Sequence, residues 1–177
     1  MSSEPVVGLG SVLDGRYRLD KTLGEGGFGV VYRAVQLSTG QSVAVKLLHA
    51  HIASGEHGDE LVARFRRELA VIARLQHPNI VRLLDAGSLP NGQLYAVLEF
   101  VEGETLASLI ERSGRLPADQ VRILMSDVLE ALGAAHAAGI VHRDIKPANI
   151  MVAASGPRPR AIVLDFGIAG VVCAQPG

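Results

Sequence analysis

The 177-residue chain has no tryptophan, one cysteine and, among 17 basic residues, only three lysines. With no Trp, three Tyr and four Phe, a core has to be assembled from Leu, Val, Ile and Ala. The single Cys173 excludes an intrachain disulfide framework and fits a reducing compartment. The net charge is −1, so there is no basic surplus to argue for nucleic acid as a partner. No apolar run reaches the ~18 residues that a membrane helix needs. Residues 1–13 carry no positive charge ahead of an apolar stretch, so no secretory leader is legible there. The expectation is a soluble, cytoplasmic protein. Disorder is excluded by composition, because 48 % of residues are hydrophobic and 20 % charged. At ~150 residues per domain the length suits about one domain.

What is present begins at Arg16. Residues 1–15, rich in Ser, Pro and Gly, read as a flexible leader. Three strand-like runs follow. The first holds Tyr17, Leu19 and Leu23, the second is 30–35, and the third is 42–48 with Lys46. A helix is expected over 60–76, with an apolar stripe of Leu61, Phe65, Ile72 and Leu75. Glu68 falls in the middle of that stripe. A lone inward carboxylate is costly unless paired, so Glu68 predicts a buried cationic partner. Residues 80–84 and 93–100 read as two further strands around a Pro90-Asn91-Gly92 turn. A short helix over 104–112 and a longer one from Pro117 to about Ala138 come next. The stripe of the longer helix is Val121, Leu124, Val128, Leu132 and Ala135.

The first chemical signal is Gly24-x-Gly26-x-x-Gly29. A dinucleotide-binding turn would need a helix after the glycines and an acid ~20 residues on. Here a β-branched strand follows, and the residue 20 past Gly26 is Lys46. A glycine-rich turn between strands can fold over phosphates and offer backbone N–H groups. A plain flexible hairpin is the competing reading of the same residues. The scarcity of lysine marks Lys21, Lys46 and Lys146 as candidates for positions that need a compact ammonium.

Taken in order, the glycine turn, Val43-Ala44-Val45-Lys46, the helix with Glu68, His142-Arg143-Asp144-Ile145-Lys146-Pro147-Ala148-Asn149, and Asp165-Phe166-Gly167 resemble the eukaryotic-like (Hanks-type) protein kinase family. Lysine followed by proline at 146–147 resembles its Ser/Thr-directed branch, and the wording resembles bacterial members. The resemblance implies an α+β protein-kinase-like fold. Its N-lobe would be a five-stranded antiparallel sheet with one main helix over 16–98, followed by a hinge at 99–103. A partial, mostly helical C-lobe would fill 104–177. It implies ATP and Mg²⁺ as cofactors and a protein Ser/Thr hydroxyl as acceptor. Lys46 would hold the α- and β-phosphates and pair with Glu68. Asp144 would accept the hydroxyl proton, and Lys146 would neutralise charge on the moving phosphoryl. Asn149 and Asp165 would ligate Mg²⁺ through oxygen. Gly24, Glu25, Gly26, Gly27, Phe28 and Gly29 would cover the phosphates. Leu23, Val31 and Ala44 would enclose the adenine, with Leu98 behind it and backbone hydrogen bonds from Glu99 and Val101.

Other residues read more blandly. His142 is expected to anchor backbone. His49, His51 and His57 sit on a polar loop without an acid pair, and Cys173 is an incidental thiol. Arg158 and Arg160 read as a solvated loop that lengthens the gap between Asn149 and Asp165. No Ser or Thr follows Ser155, so no activation-loop phosphosite is present for Arg143 to bind. The helical bundle that follows Asp-Phe-Gly in the family is also missing from these residues. Uncovered, the Val121–Ala135 stripe would expose an apolar patch, which suggests a partner on that face. A truncated ATP-binding pseudokinase or a non-catalytic interaction fragment is the alternative to an active kinase.

Overall fold

The computed structural model describes residues 7–27, 29–50, 58–154 and 156–165, except the side chains at 58, 59, 61, 64, 68 and 71. Phe28, His51, His57, Phe166, Gly167, Cys173 and the side chains of Leu61 and Glu68 therefore lie outside the described residues. The chain divides into two compact units, 1–66 with 83–100, and 67–82 with 101–177.

The first unit is a six-stranded antiparallel sheet in the order β1-β2-β3-β4-β6-β5. The strands are β1 (Val12–Leu13), β2 (Tyr17–Gly26), β3 (Gly29–Gln36), β4 (Ser42–Leu48), β5 (Leu83–Ser88) and β6 (Leu94–Glu99). Alternation along the strands separates two faces. On one, Tyr32 lies opposite Val45, Ala34 opposite Val43 and Val45 opposite Val97. These residues join Leu13, Tyr17, Leu19, Leu47, Leu89 and Tyr95 in a single buried cluster. At roughly 1.5–3 kcal/mol per fully buried large side chain, this cluster is the main apolar contribution to the unit.

Two expectations change here. The leader over 1–15 is not wholly a leader, because Val12–Leu13 pairs with Tyr17 and Arg18 and adds a sixth strand. Leu13, 2 % exposed, supplies the apolar reason. The strand expected over 80–84 instead runs Leu83–Ser88. Residues 79–81 are drawn to the second unit, where Val81 N–H donates to the Val163 carbonyl and Val163 N–H to that of Asn79.

The second unit contains α2 (Leu106–Ser113), α3 (Ala118–Ala137), a 3-10 turn at Pro147–Asn149, and the sheet β7-β8-β9. Its strands are β7 (Gly103–Thr105), β8 (Ile150–Ala153) and β9 (Arg160–Val163). The helix expected from 104 starts at Leu106 because Thr105 caps it, its hydroxyl accepting from Ser108 N–H. Gly114, at φ +69°, ends it in a conformation costly to a residue with a Cβ. Pro117 caps α3, as expected. α3 packs on β9, so Leu124, Val128, Ala131 and Ala135 are buried. The expected exposed stripe is thereby corrected: Leu124, Val128 and Ala135 are buried, Leu132 is half-buried and Val121 is exposed. α1 (Gly58–Ile72) crosses the boundary between the units in sequence. Its Phe65, Leu69 and Ile72 are buried, as is Leu75 beyond it, so Leu69 joins the expected stripe. No helix among the described residues is long and apolar enough to cross a membrane.

A polar clamp holds the ends of the first sheet together. Arg16 Nη1 donates to Asp85 Oδ2 at 2.6 Å, and the Tyr17 hydroxyl donates to the same oxygen at 2.7 Å. Tyr95 donates its hydroxyl to Asp14 and accepts from Arg16 Nη2 at 3.2 Å. Gly87 leaves the room this needs, since a Cβ there would stand 2.5 Å from the Tyr95 hydroxyl. Burial first, then hydrogen bonding to Asp85 and Asp14 respectively, pushes Tyr17 and Tyr95 up to about 12. In the unfolded chain both ionise near pH ~10. The stabilisation is therefore complete below pH ~10 and lost as pH rises through about 12, by roughly 2 kcal/mol per tyrosine. Urea unfolding across that window should show the decline, and the Tyr17→Phe/Tyr95→Phe double variant should flatten it. An equally steep decline in the double variant would assign the titration to other groups.

Candidate functional site

In the first unit, the face opposite the core carries the residues that the sequence singled out. Val31 lies opposite Lys46, Lys46 opposite Ala96, and Ala44 opposite Leu98. Strand alternation thus gathers Val31, Ala44, Lys46 and Leu98 on one surface. Lys46 is only 7 % exposed. A buried ammonium needs an anionic or strongly polar environment. Leu23 stands at a bulge in β2 and is exposed. Glu99 ends β6 opposite Val43, and Val101 is half-buried at the start of the second unit.

β2 and β3 meet at Gly26 and Gly29. The glycines of this turn are of two kinds. A Cβ at Gly29 would lie 2.2 Å from the Leu47 carbonyl oxygen, so close strand approach demands glycine there. Added Cβ atoms at Gly24, Gly26 and Gly27 would meet nothing within 4 Å, and none of the three has a positive φ. Neither protein packing nor backbone conformation requires glycine at these three positions. Open space above a turn with unhindered N–H groups is what the approach of a ligand to backbone would require. Glu25, between them, is exposed. His49 Nε2 lies 3.0 Å from the Gly26 carbonyl oxygen and ties the turn to the end of β4. No pattern in the sequence foretold that contact.

In the second unit, the segment around Asp144 is cross-linked by its own side chains. Lys146 Nζ stands 2.8 Å from Asp144 Oδ2. Asn149 Nδ2 donates to that oxygen at 3.0 Å and to the Asp144 carbonyl at 2.8 Å. The Lys146 ammonium holds the Asp144 carboxyl below the usual carboxylate range, Asn149 adding to it against the opposing effect of desolvation. Because Asn149 spends its amide nitrogen on Asp144, its Oδ1 is the end left to act as an acceptor. His142, 2 % exposed, anchors backbone as the sequence suggested. Its Nε2 donates to the Leu164 carbonyl at 2.6 Å, and its Nδ1 accepts from Asp144 N–H at 3.2 Å. The Leu164 N–H in turn donates to the Asn149 carbonyl at 2.9 Å. The segment 142–149 and the end of β9 are thereby one hydrogen-bonded assembly, with Asp165 next in the chain. Arg143 and Asp165 adopt φ +68° and +57°. Left-handed backbone at a non-glycine residue persists where neighbours fix it, and it concentrates at functional loops.

One site feature is a correction. Arg158, expected in a solvated loop, reaches α3 and forms a two-pronged pair with Asp127, at 3.1 and 3.0 Å. The signal was present in the sequence: Asp127 interrupts the apolar stripe between Leu124 and Val128, as Glu68 interrupts that of α1. The Lys46–Glu68 pairing falls outside the described residues, as do Phe28, Phe166 and Gly167.

The sequence is similar to known proteins along most of its length. The model of the protein kinase domain family matches residues 17–176. Serine/threonine-protein kinase pkn3 of Myxococcus xanthus is 42 % identical over 164 residues, covering 92 % of this chain and 29 % of its own. Serine/threonine-protein kinase PknA of Mycobacterium tuberculosis is 41 % identical over 172 residues, covering 95 % of this chain and 38 % of its own. Serine/threonine-protein kinase pkn2 of Myxococcus xanthus is 40 % identical over 161 residues, covering 91 % of this chain and 19 % of its own. The chain thus spans well under half the length of each of these curated relatives. A glycine turn shaped by open space, an Asp-Lys-Asn cluster and a family match along nearly the whole sequence converge: the chain belongs to the protein kinase domain family.

Proposed function

We propose that this chain binds Mg-ATP and transfers its γ-phosphoryl group to Ser or Thr hydroxyls of a protein, in the cytoplasm. The observation that carries the reading is the Asp144–Lys146–Asn149 cluster. With its pKa lowered, Asp144 is a carboxylate at neutral pH, the state needed to orient an acceptor hydroxyl and take up its proton. Lys146, half-exposed beside it, can extend its ammonium toward the phosphoryl oxygens that gather charge. Asn149 Oδ1 and the Asp165 carboxylate would supply oxygen donors of the kind a hard divalent cation takes. Bound there, Mg²⁺ supplies positive charge to the phosphates. Gly24, Glu25, Gly26, Gly27, Phe28 and Gly29 would cover the phosphates with backbone N–H groups. Lys46 would hold the α- and β-phosphates, its ammonium oriented by Glu68. Leu23, Val31, Ala44 and Leu98 would enclose the adenine, and the backbone of Glu99 and Val101 would hydrogen-bond its edge.

Three experiments test the reading. Mg-ATP at 100 times its Kd should stabilise the chain by about 2.7 kcal/mol and raise Tm by about 5–11 °C, a shift that Lys46→Met should abolish. No shift in the wild type would sink the proposal. Asp144→Asn should slow transfer to casein by about 10²–10⁴-fold while keeping the Mg-ATP melt shift. Equal transfer by variant and wild type would remove Asp144 from the chemistry, and a melt shift with no transfer in either would mark a nucleotide-binding fragment. Gly26→Ala should leave the ligand-free melt within about 1 kcal/mol of wild type. Its Kd for Mg-ATP should rise about tenfold, the cost of weakening one hydrogen bond to a charged group.

A further inference from the structure

We propose that Asp127 of α3 is a positioning residue that pins the register of β9 and thereby places Asp165 for metal binding. This rests on the function proposed above. Asp127 is 3 % exposed on a helix face otherwise made of Leu124, Val128 and Ala131. A buried carboxylate there is costly, and packing alone would be served by an apolar residue of similar volume. Asp127 instead collects three hydrogen bonds. Arg158 Nη1 and Nη2 donate to Oδ2 and Oδ1, and Ala161 N–H donates to Oδ2 at 2.9 Å.

Ala161 is the second residue of β9, and Asp165 lies four residues later, two past the end of the strand. The intervening backbone is held on both sides. Asn79 Nδ2 donates to the Ala161 carbonyl at 2.8 Å, and Leu164 bonds Asn149 and His142. On the strand side these contacts all fall on peptide groups, and they can be remade after a slip because one peptide group resembles the next. A slip by one residue would shift the end of β9 by about 3.3 Å and carry Asp165 with it. A charged, two-pronged clamp at one residue is much harder to satisfy in a second register, and register-setting is the best-attested use of buried ionic groups. The positive φ of Asp165 adds to the need, since that conformation persists only while its flank is fixed.

The test uses the full chain and Asp127→Leu, which replaces the clamp with an apolar side chain. Binding of a fluorescent ATP (MANT-ATP) is titrated with Mg²⁺ and, separately, measured in EDTA. Hydrogen exchange is followed at residues 162–164. The Mg²⁺ concentration for half-maximal nucleotide binding should rise about tenfold, the low end for losing an outer support of a metal ligand, with affinity in EDTA kept within about twofold. Exchange at 162–164 should quicken. An unchanged Mg²⁺ requirement overturns the proposal, and so does an equal loss with and without Mg²⁺, which a role in folding alone would give. A wild type that binds no nucleotide overturns the proposed function, and this inference falls with it. Should Asp127→Leu fail to fold, Arg158→Ala carries the same comparison, because it removes only the half-exposed side of the clamp.

Discussion

Both polar atoms of the Leu164 peptide are taken by the segment that carries Asp144. Its N–H goes to the Asn149 carbonyl and its carbonyl to the His142 ring. Backbone polar groups turned away from water must find partners, and here the partners lie 15 and 22 residues earlier in the chain. The arrangement makes the strand end and the loop a single body. Asp165, next in the chain, is thereby joined through the backbone to the segment that carries Asp144 and Asn149. The left-handed residues Arg143 and Asp165 flank this seam, where the surrounding bonds can hold them.

In the other unit the constraint is alternation. One face of the sheet is filled with Val43, Val45, Tyr32 and Val97, and every second residue is therefore committed to the core. The remaining positions of the same strands are available for other work, and Val31, Ala44, Lys46 and Leu98 occupy them. Fold and candidate site are written in the same strands and separated by the pleat. The tyrosine clamp at Asp14 and Asp85 ties the β1–β2 end of the sheet to β5 and β6.

Much of this was legible in the sequence where a local rule sufficed. Pro117 opens its helix because its backbone preference acts locally. The strands 30–35 and 42–48 carry enough β-branched residues to declare themselves. The Asp144 cluster was legible because its members lie within six residues. Contacts set by distant partners were not. Residues 79–81 look like part of a strand, and nothing nearby says that β9 will claim them. Arg158 reads as solvated until α3 is folded beside it, and Val12–Leu13 becomes a strand only because β2 offers it an edge. Asp127 was readable in principle. The logic that singled out Glu68 applies to it unchanged, but its partner lies 31 residues away.

The glycine turn has a consequence for the history of such chains. Gly29 is held by the Leu47 carbonyl, so any descendant that still folds must keep it. Gly24, Gly26 and Gly27 face open space and have no positive φ, so neither packing nor a left-handed backbone holds them to glycine. A lineage that ceased to use a ligand at this turn would shed those three at the neutral rate while retaining the fourth. The pattern of loss across four glycines would then date the silence of the site, with Gly29 as the internal clock that does not run.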